Sequence, residues 1–91
     1  MRFEWDPNKA TANEQKHGVN FDEAINVFQD DHSITVPDTR HSKQEKRFFT
    51  IGVGPNGQVL LVCHTDRAGQ IRIISARPAS RKERKQYAQS D

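Results

Sequence analysis

The 91-residue chain has one cysteine, one tryptophan, one tyrosine, five glycines and four prolines. A single thiol, Cys63, cannot close an internal disulfide, which fits a reducing compartment and excludes a disulfide-stapled miniprotein. The longest apolar run, Val59–Cys63, is five residues, far short of a membrane span. The opening Met1-Arg2-Phe3-Glu4-Trp5-Asp6 contains no apolar core of a secretion signal, so a cytoplasmic location is expected. Internal repeats, low-complexity stretches and Gly/Ser-rich linkers are also missing, and residues 1–91 read as one domain. A third of the residues are hydrophobic and mean hydropathy is -0.92, so nearly every apolar side chain is needed for one core.

Charge is abundant and unevenly placed. Residues 1–45 hold five Lys/Arg against nine Asp/Glu, and residues 46–91 hold nine against three. The basic second half suggests a surface for a polyanion, either nucleic acid or an acidic partner.

Phe3 and Trp5 alternate with Arg2 and Glu4, the pattern of a short strand. Asp6-Pro7 reads as an N-cap with proline at the first helical position, and Gly18 as the end of a helix over Pro7–His17. That helix has a weak apolar face, with Lys9, Asn13, Lys16 and His17 expected on a polar one. Asn20 caps a second helix whose Phe21, Ala24, Ile25 and Phe28 form a stripe at i, i+3, i+4, i+7. Ser33–Val36 is a short strand stopped by Pro37, and Asp38–Gln44 a polar loop. From Glu45 the period becomes two, giving strands Glu45–Val53, Val59–Thr65 and Gln70–Arg77 joined by turns at 54–57 and 66–69. Ser80 and Glu83 form a capping box opening a last helix. The expected fold is α+β, in the order β-α-α-β-β-β-β-α, with helices packed on an antiparallel sheet.

The densest chemical feature is the stretch 77–85, where Arg77, Arg81, Lys82, Arg84 and Lys85 straddle a strand end and a helix start. A solvated helix face is the ordinary reading of such a run. Cations in a first helical turn oppose the macrodipole, however, which argues for an anion held there instead. Arg77 is expected on the strand face of Ile71, Ile73 and Ser75. Glu45 and Arg47 share a strand face, as a plain ion pair or as a base and a phosphate clamp. Arg67 is expected in a hairpin turn. His17 reads as a helix C-capping cation and Tyr87 as a core or rim residue. His17, His32, His41, His64 and Cys63 lack metal-ligand spacing, and Cys63 and His64 should face opposite sides of a strand, so no metal or other cofactor is expected. Asp30, Asp31 and Asp38 are expected to be solvated loop acids.

Taken together, Phe3-Glu4-Trp5-Asp6-Pro7, Lys16-His17-Gly18-Val19-Asn20-Phe21, Ile51-Gly52, the 62–67 stretch VCHTDR and the 71–87 stretch IRIISARPASRKERKQY resemble the BrnT family over nearly the whole chain. These are the toxins of bacterial type II toxin–antitoxin pairs. The resemblance implies a RelE-like fold and a metal-independent endoribonuclease that inhibits translation. It also implies a cognate BrnA-like, DNA-binding antitoxin that occludes the toxin in a heterotetramer and alone contacts DNA. Carried over, the family's polar positions fall on His17, Glu45, Arg47, Arg67 and Arg77, with Arg81, Lys82 and Tyr87 toward RNA. Cleavage by the RNA's own 2′-hydroxyl needs a base, an acid for the leaving 5′-oxygen, and fixed positive charge. Glu45 is the first choice for the base and His17 the second, and no residue stands out as the acid. The alternative is a non-enzymatic module that binds nucleic acid or an acidic partner through the basic face.

Overall fold

The computed structural model describes residues 1–89; Ser90 and Asp91, included in the expected domain, lie outside the described residues. Strand β1 (Phe3–Glu4) leads into α1 (Pro7–His17). Asp6 caps α1 by accepting from the Asn8 N–H at 2.8 Å, and the Gly18 N–H closes its end on the Glu14 carbonyl. Helix α2 (Phe21–Ala24) is capped by the Asn20 side chain, as expected, but lasts one turn before tightening into a 3₁₀ segment, Ile25–Gln29. At three residues per turn the buried positions become Phe21, Ala24 and Val27, spaced by three. Val27 thus takes the buried place the helical stripe assigned to Ile25 and Phe28, which are only half-buried.

Strand β2 (Ile34–Pro37) precedes β3 (Arg47–Val53), β4 (Val59–Arg67) and β5 (Gln70–Pro78), and α3 (Arg81–Ala88) follows. The sheet order is β1-β5-β4-β3-β2. Strands β3 to β5 form the expected antiparallel meander and β2 adds to it antiparallel to β3, whereas β1 joins β5 in parallel through Phe3 opposite Ile71 and Glu4 opposite Arg72. Several boundaries differ from the sequence reading: β2 includes Pro37, which pairs with Phe48 instead of stopping the strand, β5 runs on to Pro78, and two further shifts bear on the candidate residues. Strand β3 starts at Arg47, leaving Glu45 in the preceding loop. The second hairpin tightens to Ala68-Gly69, both at positive φ, so Asp66 and Arg67 extend β4 and Arg67 is a strand residue.

The core lies on one sheet face, where Val19, Phe21, Ala24 and Val27 pack on Leu60, Val62, Ile73 and Ala76. The 3₁₀ segment comes so close to β3 that a Cβ on Gly52 would sit 3.0 Å from both the Val27 Cβ and its carbonyl oxygen. His64 belongs to this face, between Phe28 (rings 4.9 Å apart) and Phe48 (5.8 Å). Its Nε2 bonds the Thr50 hydroxyl at 2.7 Å, and burial pushes the imidazole below its ordinary pKa, with Asp66 opposing. Helix α1 contributes little apolar surface and one buried residue, Asn13, which corrects its expected place on an exposed polar face. Its amide donates to the carbonyls of Val19 (2.9 Å) and Ala76 (2.8 Å) and accepts from the Ala76 N–H at 3.0 Å. Strand β1 pairs with β5 only at Ile71 and Arg72, so at Ala76 the carboxamide occupies the place of a missing neighbouring strand.

Strand β5 carries a bulge. His64 pairs with Ile73 but Cys63 with Ser75, leaving Ile74 as the extra residue. Before the bulge Ile71 and Ile73 face the core; beyond it Ala76 does, and Ser75 and Arg77 turn to the other face. That overturns the expectation that Arg77 alternates with Ile71 and Ile73.

Candidate functional site

The second sheet face carries Arg47, Phe49 and Ile51 from β3, Leu61, Cys63, Thr65 and Arg67 from β4, and Ser75 and Arg77 from β5, as the pairings Arg47–Thr65, Phe49–Cys63, Cys63–Ser75 and Leu61–Arg77 require. Cys63 and His64 do face opposite sides of β4. Burial pushes the Cys63 thiol above its ordinary pKa, against the pull of Arg47, so it is a poor nucleophile.

One end of this face is bordered by the loop between β2 and β3. Backbone groups close the loop, the Asp38 N–H donating to the Arg47 carbonyl at 2.8 Å. The Ser42 hydroxyl bridges its two ends, donating to the Asp38 carbonyl and accepting from the Arg47 N–H. The Thr65 hydroxyl of β4 donates to the Lys46 carbonyl and fastens the loop to the sheet. Glu45, outside the strand, is therefore still held in place. Its Oε2 accepts from Arg67 at 3.0 Å and its Oε1 lies 3.7 Å from Arg47. The Arg67 hydrogen bond, with further attraction from Arg67, Arg47 and Arg72, outweighs desolvation and holds this carboxyl below the ordinary carboxylate range.

Arg40, His41, Lys43, Gln44, Glu45, Arg47 and Arg67 line an open cavity of about 540 Å³. A second cavity of about 220 Å³ shares His41 and Arg47 and has a floor of Phe49, Cys63, Ile74 and Ser75. Four of the first cavity's seven residues are Lys or Arg, against one acid, so it suits an anion. The Arg47 Nε is buried without a protein partner, which leaves it a donor to offer.

Of the residues singled out from sequence, Glu45, Arg47 and Arg67 converge here. Arg77 lies on the same face, one alternation beyond Ser75, but its guanidinium is bound to Glu83 by two hydrogen bonds, 2.8 and 2.9 Å. Glu83 also closes the capping box with Ser80. That pairing raises the Arg77 pKa and lowers that of Glu83, against burial in both cases, and ties α3 to the sheet. Arg81 and Lys82 are exposed in the first turn of α3. Tyr87 donates its hydroxyl to Asp30, whose carboxylate also accepts from the Val53 N–H at 2.9 Å. Desolvation raises the Asp30 pKa, but its bonds to Tyr87, His32 and Val53 together bring it below the ordinary value. His17 ends α1, on the helix-covered side, and does not line the cavity.

Two of the acids expected to be solvated are therefore structural: Asp30 docks α3, and Asp38 is 4% exposed. The Asp38 carboxylate meets the His41 ring, Nδ1 to Oδ2, at 2.9 Å. The sequence reading weighed His41 as a metal ligand and Asp38 as a solvated loop acid, and did not pair them; their spacing of three, across the 3₁₀ segment Thr39–His41, was the available signal. Among the described residues no three His, Cys, Asp or Glu side chains are grouped to hold a metal ion, and no helix is long and apolar enough to cross a membrane.

A sequence model of a family described as "Ribonuclease toxin, BrnT, of type II toxin-antitoxin system" matches residues 5–83. The fold is similar to the 1.1 Å crystal structure of the Brucella abortus ribonuclease toxin BrnT, with a TM-score of 0.71 and 24% identity over 89% of this chain and 99% of that one. No curated protein matches the chain.

Proposed function

Since the chain belongs to the BrnT family, the ribonuclease toxins of type II toxin–antitoxin systems, we propose that it cuts RNA in the cytoplasm at the cavity of Glu45, Arg47 and Arg67, without a metal. The attacking group is the RNA's own 2′-hydroxyl. Translation stops because messages are cut, until a BrnA-like, DNA-binding antitoxin covers the site in a heterotetramer and carries the only contact with DNA.

The observation that carries this reading is the Glu45 carboxylate held between two guanidinium groups in a cavity of net positive charge. A carboxylate kept ionised is in the form a general base needs, and its low basicity makes the step slower rather than impossible. Arg47 and Arg67 supply donors and fixed charge to the phosphorane-like transition state, where placed cations act in advance of the charge they stabilise. His17, the second choice for the base, has no geometry to support that role. Arg77, Arg81 and Lys82 continue the basic track toward α3 and hold the RNA backbone beyond the scissile phosphate, with Tyr87 securing the helix under them.

Induction of the Arg47→Ala/Arg67→Ala double variant in a bacterial host tests the site. Wild type should arrest growth and deplete mRNA within an hour, and the folded double variant should do neither. Full toxicity from the double variant would refute the site. Salt-dependent RNA binding by wild type without scission would favour the non-enzymatic module instead.

A further inference from the structure

Within the reaction just proposed, no residue yet protonates the leaving 5′-oxygen. We infer that His41, oriented by Asp38, is the catalytic general acid of this site.

The geometry is that of a carboxylate–imidazole dyad. A carboxylate only accepts, so the 2.9 Å contact places a proton on His41 Nδ1 and turns Nε2 away from Asp38. The two partners differ sharply in exposure: the Asp38 side chain is 3% exposed and the His41 side chain 62%. A buried carboxylate is costly unless paired, yet this one bonds a ring open to solvent rather than Arg40 or Arg47 nearby. An ordinary surface ion pair would have both partners in water. The dyad is also anchored on both sides. The Asp38 backbone bonds Arg47 through both its N–H and, by way of Ser42, its carbonyl, so the ring is referenced to the same strand end that carries Arg47.

Placement agrees with the role. His41 and Arg47 are shared by the cationic cavity and the smaller one floored by Phe49. A phosphate against Arg47 and Arg67 therefore has Glu45 and His41 as the two proton-transferring side chains lining its cavity. The 2′-oxygen attacks phosphorus as Glu45 takes the 2′-hydroxyl proton. The bond from phosphorus to the 5′-oxygen breaks as His41, entering the step with a proton on each ring nitrogen, gives that oxygen the one on Nε2 and keeps the Nδ1 proton directed at Asp38. The products are a 2′,3′-cyclic phosphate and a 5′-hydroxyl, and the two side chains regain their starting protonation by exchange with water. No other reactant is needed.

The test uses the purified full chain and a transcript on which wild-type cleavage positions have been mapped. An oligonucleotide spanning the strongest position is then made with oxygen or with sulfur bridging phosphorus to the 5′-carbon. A thiolate leaves without a proton, so the sulfur substrate bypasses a general acid. His41→Ala, at an exposed position, should lower kcat on the oxygen substrate by about 10²–10⁴-fold, with KM changed less than about threefold. On the sulfur substrate it should cut within about tenfold of wild type, and Glu45→Gln should remain slow on both. Wild-type kcat for His41→Ala on oxygen overturns the inference, as does an equal defect on oxygen and sulfur. If wild type cuts no RNA, with or without ribosomes, the cleavage reading itself fails and this inference goes with it.

Discussion

Asn13→Ala is expected to be among the most damaging single changes in the chain, although the residue is polar and sits on a helix with almost no apolar face. The substitution removes three hydrogen bonds and leaves the carbonyls of Val19 and Ala76 and the N–H of Ala76 buried without partners. Each such orphan costs about 1–3 kcal/mol. Allowing for partial relaxation, the loss is about 3–5 kcal/mol, a large share of the roughly 5–14 kcal/mol expected for a domain of this size. At about 4–8 °C per kcal/mol, the melting temperature falls by at least about 12 °C. Asn13→Asp should be no better, because it keeps one acceptor but points a second oxygen at two carbonyls. Urea melts followed by circular dichroism, with exposed Glu14→Ala as a control within about 0.5 kcal/mol of wild type, measure this directly. A loss under about 1 kcal/mol for Asn13→Ala, or tolerance of Asn13→Asp, would refute the idea that the carboxamide stands in for a strand.

Gly52→Ala should cost about 1–3 kcal/mol by the same melts, because the new methyl meets Val27 side chain and backbone at 3.0 Å and the 3₁₀ segment must move. Val27→Ala in the Gly52→Ala background should not add its full single-variant cost if the two sites share that contact. Stability should also depend on pH through His64. Its folded pKa lies below 6.5, so its contribution is complete above about pH 6.5 and is lost as pH falls from there toward the folded value. His64→Phe should flatten that part of the stability–pH curve, and an unchanged slope would show that another group is responsible.

What could be read from the sequence was local. Asp6-Pro7, Gly18, Asn20 and the Ser80–Glu83 box act within a turn of the chain, so each helix start was legible from neighbouring residues. Period-two patterning likewise revealed the meander, and the pairings followed from its short turns. The features that escaped are made across the fold. Asn13 looked solvated because its partner Ala76 is 63 residues away. The β1–β5 pairing joins the two ends of the sheet-forming chain, and nothing in Phe3-Glu4 marks a parallel partner. Glu45, Arg47 and Arg67 were found as residue types, while the contact that joins them depends on the loop closure between Asp38 and Arg47. Arg77 was also singled out, but its commitment to Glu83 rests on a change of strand face that leaves no mark in the composition.

That change of face, the bulge at Ile74, lets β5 serve two clients with one strand. Up to Ile73 its inward beats supply the helices; after one skipped beat the same rhythm supplies the opposite surface with Ser75 and Arg77, while Ala76 slips under α1 to meet Asn13. Drawing Ile74 into the ladder as an ordinary paired residue would restore strict alternation along the strand. Arg77 would then fall on the inward beat and Ala76 on the outward one, a guanidinium would enter the core, and the basic track would lose its link to α3. The spare residue is thus a phase marker: removing Ile74 alone should leave the faces of Ala76 and Arg77 unchanged, whereas pairing it in the ladder should exchange them.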